Sequence, residues 1–240
     1  MSKTIHVLNK RIELAQHEDG FQTSIDAVLL AAACPAKEGA RILDLGCGVG
    51  SASFCALCRI EGASLTGLDI LPDVVALARQ NAALNGMDNR AQFECIDIRD
   101  FEELAFDHVI CNPPYLEAGE HVSSPSEAKA TAMGFGEDDM DLKDWVDCAH
   151  RCLAGQGSLT IIHRADAVDE IIRAMGKRFG AIEIIPLWPK VEREAKRVIV
   201  RAFKHRKSPA HIHPGIILHQ DNGDYTEQAE NILRNMATIA

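Results

Sequence analysis

Short apolar runs that end in glycine or aspartate alternate along this chain with stretches whose apolar positions recur at helical spacing. Residues 41–45 (Arg-Ile-Leu-Asp-Leu) run into glycines and read as a buried strand, and helical patterning resumes over 51–60. Residues 63–69 read as a second strand and 72–84 as a helix, with Pro72 near its start, Asp73 in its first turn and Asn85-Gly86 as its stop. Strands follow at 91–96 and 106–111, helix at 141–153, strand at 158–163 and helix at 165–179. Two further β-rich runs, 181–187 and 197–203, have no convincing helix between them, so they predict an antiparallel hairpin at one edge. The whole pattern predicts an α/β protein with a doubly wound, mainly parallel, seven-stranded sheet. Between strand 106–111 and helix 141–153, residues 117–138 are polar and too long for an ordinary connector, which marks a candidate functional loop.

Composition narrows the class without changing this picture. The 240 residues are 47% apolar and 25% charged, as in an ordinary globular protein. The longest apolar run, 27–34, is far short of the roughly 18–20 residues that cross a bilayer, and the first residues carry no hydrophobic signal stretch. A soluble cytoplasmic protein with no membrane partner is the expectation. The eight cysteines lack the paired short spacings of a zinc site, so they read as free, mostly buried thiols and no metal is expected.

A net charge of −10 argues against unspecific nucleic-acid binding by the molecule as a whole. The charge is uneven, however: residues 190–207 carry eight Lys or Arg against two Glu. Arg197 and Arg201 alternate with Val198, Val200 and Ala202, which predicts that both share one strand face and point away from the core.

The chemistry concentrates at predicted strand ends. Gly46 and Gly48 end the first strand, and Asp44 stands just before them. Residues without Cβ let the backbone turn sharply beside a ligand. The dinucleotide fingerprint would place a third glycine where this chain has Ser51, which disfavours a dehydrogenase. The Asp44 carboxylate suits a cationic head such as the ammonium of a methionine moiety and would repel a pyrophosphate. Asp69 ends the second strand about 20 residues after the glycines, the spacing at which an acid accepts from ribose hydroxyls. Asp97 follows the third strand, where a carboxylate can accept from an adenine amino group.

The fourth strand ends in Asn112-Pro113-Pro114-Tyr115. Two prolines make a stiff turn that leaves the Asn112 side chain and the Pro113 carbonyl as acceptors. An exocyclic adenine or amide nitrogen is a poor nucleophile because its lone pair is delocalised. Two acceptors can hold its N–H bonds and aim it, so positioning and electrostatics supply most of the acceleration. Tyr115 would stack on the planar group, a contact worth roughly 1–3 kcal/mol.

With both motifs in hand, the chain resembles the class I S-adenosylmethionine-dependent methyltransferases that carry Asn-Pro-Pro-Tyr, among them adenine-N6 and release-factor glutamine enzymes. Residues 20–30 before the glycine loop, and Tyr225-Thr226 leading into 229–234, resemble the bacterial tRNA adenine-N6 methyltransferases acting beside the anticodon of a valine tRNA. The resemblance implies S-adenosylmethionine as cofactor, held by Asp44, Gly46, Gly48, Asp69 and Asp97, and a tRNA substrate whose adenine meets Asn112, Pro113, Pro114 and Tyr115. It implies that Asp26 helps close the cofactor pocket. It also raises Lys190, Arg193, Lys196, Arg197 and Arg201 to candidate phosphate contacts, and lets loop 117–138 fold over a flipped base. Gln22 stands where many relatives carry a basic residue. One domain is expected over 1–240: an N-terminal segment and pocket-closing helix at 1–40, core sheet at 41–204 and a C-terminal extension at 205–240.

Other readings remain. Glutamine methylation in a protein is disfavoured because such enzymes usually carry a helical N-terminal domain, and only about 20 residues precede the upstream motif. Guanine-N2 methylation of rRNA is weakened by Tyr115, where those relatives often have Phe. A cofactor-binding module without catalysis is opposed by intact Asn112 and Tyr115, and a nicotinamide oxidoreductase is remote.

Overall fold

The computed structural model describes residues 2–18, 22–115 and 140–239. Its main sheet is built from β3 (Arg41–Leu45), β4 (Ser64–Asp69), β5 (Ala91–Cys95), β6 (Phe106–Cys111), β7 (Leu153–Arg164), β8 (Phe179–Trp188) and β9 (Arg197–Lys204). Two short strands, β10 (His211–Ile212) and β11 (Ile216–Ile217), extend it alongside β8. The order is β10-β8-β9-β7-β6-β3-β4-β5. Strands β3 to β7 pair in parallel, and β9 runs antiparallel between β7 and β8. The seven predicted strands and the antiparallel hairpin are therefore present.

Chain order steps outward from β3 to β4 to β5 and then returns to the other side of β3 with β6. This reversal opens a crevice beyond the carboxyl ends of β3 and β6, where doubly wound sheets take their ligands.

Helices cover both faces. Helices α1 (Ile25–Ala33), α2 (Ser51–Arg59), α3 (Pro72–Leu84) and, near the C-terminus, α6 (Glu227–Arg234) belong to one core with Ile42, Ile110 and Ile199. Helices α4 (Leu142–Cys152) and α5 (Val168–Met175) pack on the other with Leu43, Leu45, Val198 and Val200. Successive side chains of one strand point to opposite faces, so neighbours in sequence enter different cores. Among the described residues no helix is long and apolar enough to cross a membrane.

Several elements depart from the sequence reading. The helix expected over 165–179 is a 3-10 turn, Ala165–Ala167, followed by α5; Gly176, at φ 55°, ends it and Phe179 opens β8. The N-terminal segment also holds an unanticipated hairpin, β1 (Ser2–Val7) with β2 (Ile12–His17). Two asparagines one turn apart, Asn81 on α3 and Asn85 capping its end, serve the open edge of the hairpin as a third strand would. Asn81 accepts from Ala15 N–H at 2.8 Å and donates to Ala15 and Val49 carbonyls, and Asn85 brackets Glu13 in the same way. The C-terminal extension supplies β10, β11 and α6 and returns to α1, where Ile239 N–H meets the Ala32 carbonyl at 2.8 Å.

Candidate active site

Strand register brings the two sequence motifs side by side. Leu45, the last residue of β3, lies opposite Leu68 on one flank and Cys111 on the other. Gly46 and Asn112 are therefore the first residues beyond adjacent strand ends. Gly46 (φ 65°) and Gly48 (φ 56°) both adopt the left-handed backbone that disfavours side chains. A Cβ on Gly46 would stand 2.6 Å from the Trp145 ring of α4, so the ring and the loop fit only through glycine. A Cβ on Gly48 would meet nothing within 4 Å, leaving its backbone open to close approach.

Two of the three aspartates gather at this loop. Asp44 is 2% exposed and accepts a 2.5 Å hydrogen bond from the Ser53 hydroxyl of α2. Burial pushes its carboxyl up to about 7, the Ser53 bond offsets part of that, and the Asp69 charge adds to it. Asp69 accepts from the Gly48 and Leu71 backbone N–H groups, each at 3.0 Å, which ties the β3–α2 turn to the β4–α3 turn. Burial raises its carboxyl too, against those backbone bonds.

Asp97 follows β5, whose end is joined to Asp69 through the Ile96 N–H to Asp69 carbonyl bond at 3.0 Å. Burial would raise its carboxyl, but the Arg99 guanidinium and backbone N–H outweigh this and hold it low. Its charge is already matched by Arg99. This set of acceptors fits a ligand with a cationic head and hydroxyls: carboxylates beneath an open glycine backbone.

Beyond β6, Asn112 is half-buried, Pro113 is buried, and Pro114 is exposed. The Tyr115 hydroxyl stands 2.9 Å from Asp26 Oδ2 and 3.0 Å from Asn112 Oδ1. Asp26 sits in the first turn of α1, capped by Ser24, and is 8% exposed. It also faces Arg197 Nε of β9 at 3.2 Å, and that guanidinium lies over the Tyr115 ring, 4.5 Å from its centroid. Burial and the Asp26 charge push the Tyr115 hydroxyl well above its ordinary value.

His163, near the end of β7, completes this group and was not singled out by the sequence. Its ring meets Tyr115 edge-on at 4.9 Å. It is 5% exposed, its Nδ1 has no partner among the described residues, and burial lowers it toward the neutral imidazole. The available signal was position: Cys111 pairs with Ile161, so His163 projects two residues past it at the same sheet edge. Ser53 and Trp145 were also missed, being ordinary helix residues in sequence. The candidate functional loop, 117–138, lies outside the described residues.

The basic run divides. Leu187 and Arg164 both pair with Arg197, so the β8–β9 connection lies at the same edge as the glycine loop. Arg193 and Lys196 on that connection are exposed, while Lys190 donates to the Asp221 carbonyl at 3.0 Å. Arg201 overturns its expectation. It is 6% exposed, paired with Glu183, and donates to the Ala33 carbonyl at 2.9 Å. Arg197 also turns inward, to Asp26 and Tyr115. Alternation assigns a strand face correctly, but here α1 and the C-terminal residues cover the face on which both arginines sit.

A parallel sheet that reverses beside a glycine loop is the ligand-binding crevice of doubly wound folds, and comparison with known proteins gives the class. A model of the methyltransferase domain matches residues 36–200, and the chain belongs to that family. It is an S-adenosylmethionine-dependent methyltransferase. It is similar to a tRNA1(Val) (adenine(37)-N6)-methyltransferase of Shewanella sp. (strain MR-4), 28% identical, with 87% of this chain and 89% of the relative covered. One from Vibrio campbellii is 26% identical, with 91% of each covered. Among solved structures, a predicted O-methyltransferase from Agrobacterium tumefaciens is 26% identical at a TM-score of 0.74, covering 90% of this chain and 98% of that one.

Proposed function

We propose that this methyltransferase methylates the exocyclic N6 amino group of an adenine in tRNA, at position 37 of the anticodon region of a valine tRNA. The observation that carries the reading is the adjacency of Asn112 to the glycine loop, enforced by the Leu45–Cys111 pairing. An adenine amino group offers two N–H bonds, and Asn112 Oδ1 and the Pro113 carbonyl offer two acceptors. A hydroxyl, the acceptor implied by the name of the Agrobacterium neighbour, would use only one. The names of relatives 25–28% identical over most of the chain support the tRNA substrate.

In this reading Asp44, Gly46, Gly48, Asp69 and Asp97 hold the cofactor, which supplies a methyl group on a sulfonium. Asp44 answers positive charge, Asp69 accepts from hydroxyls, and the glycine backbone permits close approach. Asn112 and Pro113 fix the amino nitrogen in plane and raise its electron density as its N–H bonds polarise toward them. Tyr115 offers the ring face not covered by Arg197 to the base, with His163 at the ring edge. Arg193 and Lys196, exposed on the β8–β9 connection, meet the RNA backbone at this edge.

Labelled cofactor, purified protein and bulk tRNA test the reading, followed by nucleoside mass spectrometry. Label in N6-methyladenosine of tRNA is expected, and Asn112→Ala loses most turnover while still binding S-adenosylhomocysteine. No label in tRNA, with transfer instead to a protein glutamine or to guanine of rRNA when a protein extract or rRNA is supplied in parallel, would overturn it.

A further inference from the structure

Asn112 Oδ1 has a competitor for the lone pair that faces its neighbours. The Tyr115 hydroxyl lies 3.0 Å away and carries one proton, which it can direct either to Asn112 or to Asp26 Oδ2 at 2.9 Å. A neutral amide oxygen and a carboxylate are unequal acceptors: bonds to an ionised acceptor are roughly twice as strong. Asp26 is drawn from α1, 89 residues before Tyr115 in sequence, and Arg197 from β9 steadies it at 3.2 Å. The same guanidinium covers one face of the Tyr115 ring. Three separate elements thus converge on one phenol.

We infer that Asp26, held by Arg197, is a positioning residue that takes the Tyr115 hydroxyl bond and so leaves the Asn112 side-chain oxygen open to the target amino group. This inference rests on the reading of Asn112 as an acceptor of that group. It moves Asp26 from the cofactor pocket, where the resemblance puts it, to the acceptor turn. Without the carboxylate the hydroxyl turns to Asn112 and competes with the substrate N–H for the same oxygen. The ring still orders the turn and still stacks, so the loss falls on turnover.

Asp26→Ala tests this in two ways. With tyrosine labelled by 13C at Cζ, the two tyrosines of the chain give two lines, assigned through Tyr225→Phe. The variant moves the Tyr115 line and leaves Tyr225 in place; an unmoved Tyr115 line overturns the inference without reference to any substrate. In methyl transfer to tRNA, kcat falls about tenfold or more, the scale of one hydrogen bond to a charged group. KM for tRNA and the affinity for S-adenosylhomocysteine stay within about twofold. Asp26→Ala/Tyr115→Phe, with the ring kept and the hydroxyl gone, is faster than Asp26→Ala.

A purely structural Asp26 predicts no such recovery, and a parallel fall in cofactor affinity would return Asp26 to the cofactor pocket; either overturns the inference. Should Asp26→Ala not fold, Asp26→Asn gives a smaller shift of the same line and the same order of rates. If the wild type transfers no methyl to tRNA, the functional proposal fails, and the Cζ line still decides whether Asp26 holds the hydroxyl.

Discussion

Arg201 Nε donates to Glu183 Oε2 at 2.7 Å across the β8–β9 pair, and the arginine reaches past it to the carbonyls of Ala33 and Ile239. One guanidinium thereby joins the outer sheet, the end of α1 and the C-terminal residues. Its side chain is 8% exposed, so solvent does little to screen the pair.

Removing one member of a buried pair leaves the other uncompensated. Arg201→Ala is expected to destabilise the protein by about 3–5 kcal/mol, read as a lower urea midpoint. Glu183→Leu with Arg201→Met restores most of that loss. Neither change alters the salt dependence of RNA binding, because Arg201 does not reach the surface.

Arg193 and Lys196 behave in the opposite way. Each alanine variant should leave stability within about 0.5 kcal/mol of the wild type. Each should also lower tRNA affinity across sequences and reduce the slope of log affinity against log salt by about one. Filter binding over a salt series measures both. Unchanged slopes would remove the β8–β9 connection from the RNA interface.

Asp44 makes stability depend on pH. Burial lifts its carboxyl from 3.8 to about 7, so the folded protein holds a proton that the unfolded chain releases. The stabilising contribution is complete below about 4 and is lost as pH rises through about 7. Asp44→Asn keeps an oxygen for the Ser53 hydroxyl and removes the titration. Its urea midpoint should vary less than the wild type between pH 4 and 8 and exceed it at pH 8. At pH 8 the proposed cofactor role of Asp44 predicts that it binds S-adenosylhomocysteine about tenfold or more weakly, the loss expected for one charge-assisted bond.

Local features made much of this protein legible. Apolar runs stopped by Gly46 or Asp69 mark buried strands, Pro72 and Asn85-Gly86 bracket a helix, and Asn112-Pro113-Pro114-Tyr115 carries its acceptors in four adjacent residues. Such signals need no knowledge of what lies opposite, because they depend on φ preferences, missing donors and side-chain period. They were enough to place Asp44, Asp69 and Asn112 at one sheet edge.

Partnership was decided only when the sheet closed. A period of two puts Arg197 and Arg201 on one strand face, yet it says nothing of whether α1 covers that face. Asp26 reads as a helix N-terminal charge until register brings β9 and the β6 turn to it across 171 and 89 residues. His163 reads as the end of a strand until its ring meets Tyr115. Sequence by itself determined the seven main strands, the glycine loop and the acceptor segment, because each is written in neighbouring residues. The tertiary structure alone decided which charges are buried in pairs, since desolvation and Coulomb attraction depend on distances through space that the order of residues does not contain.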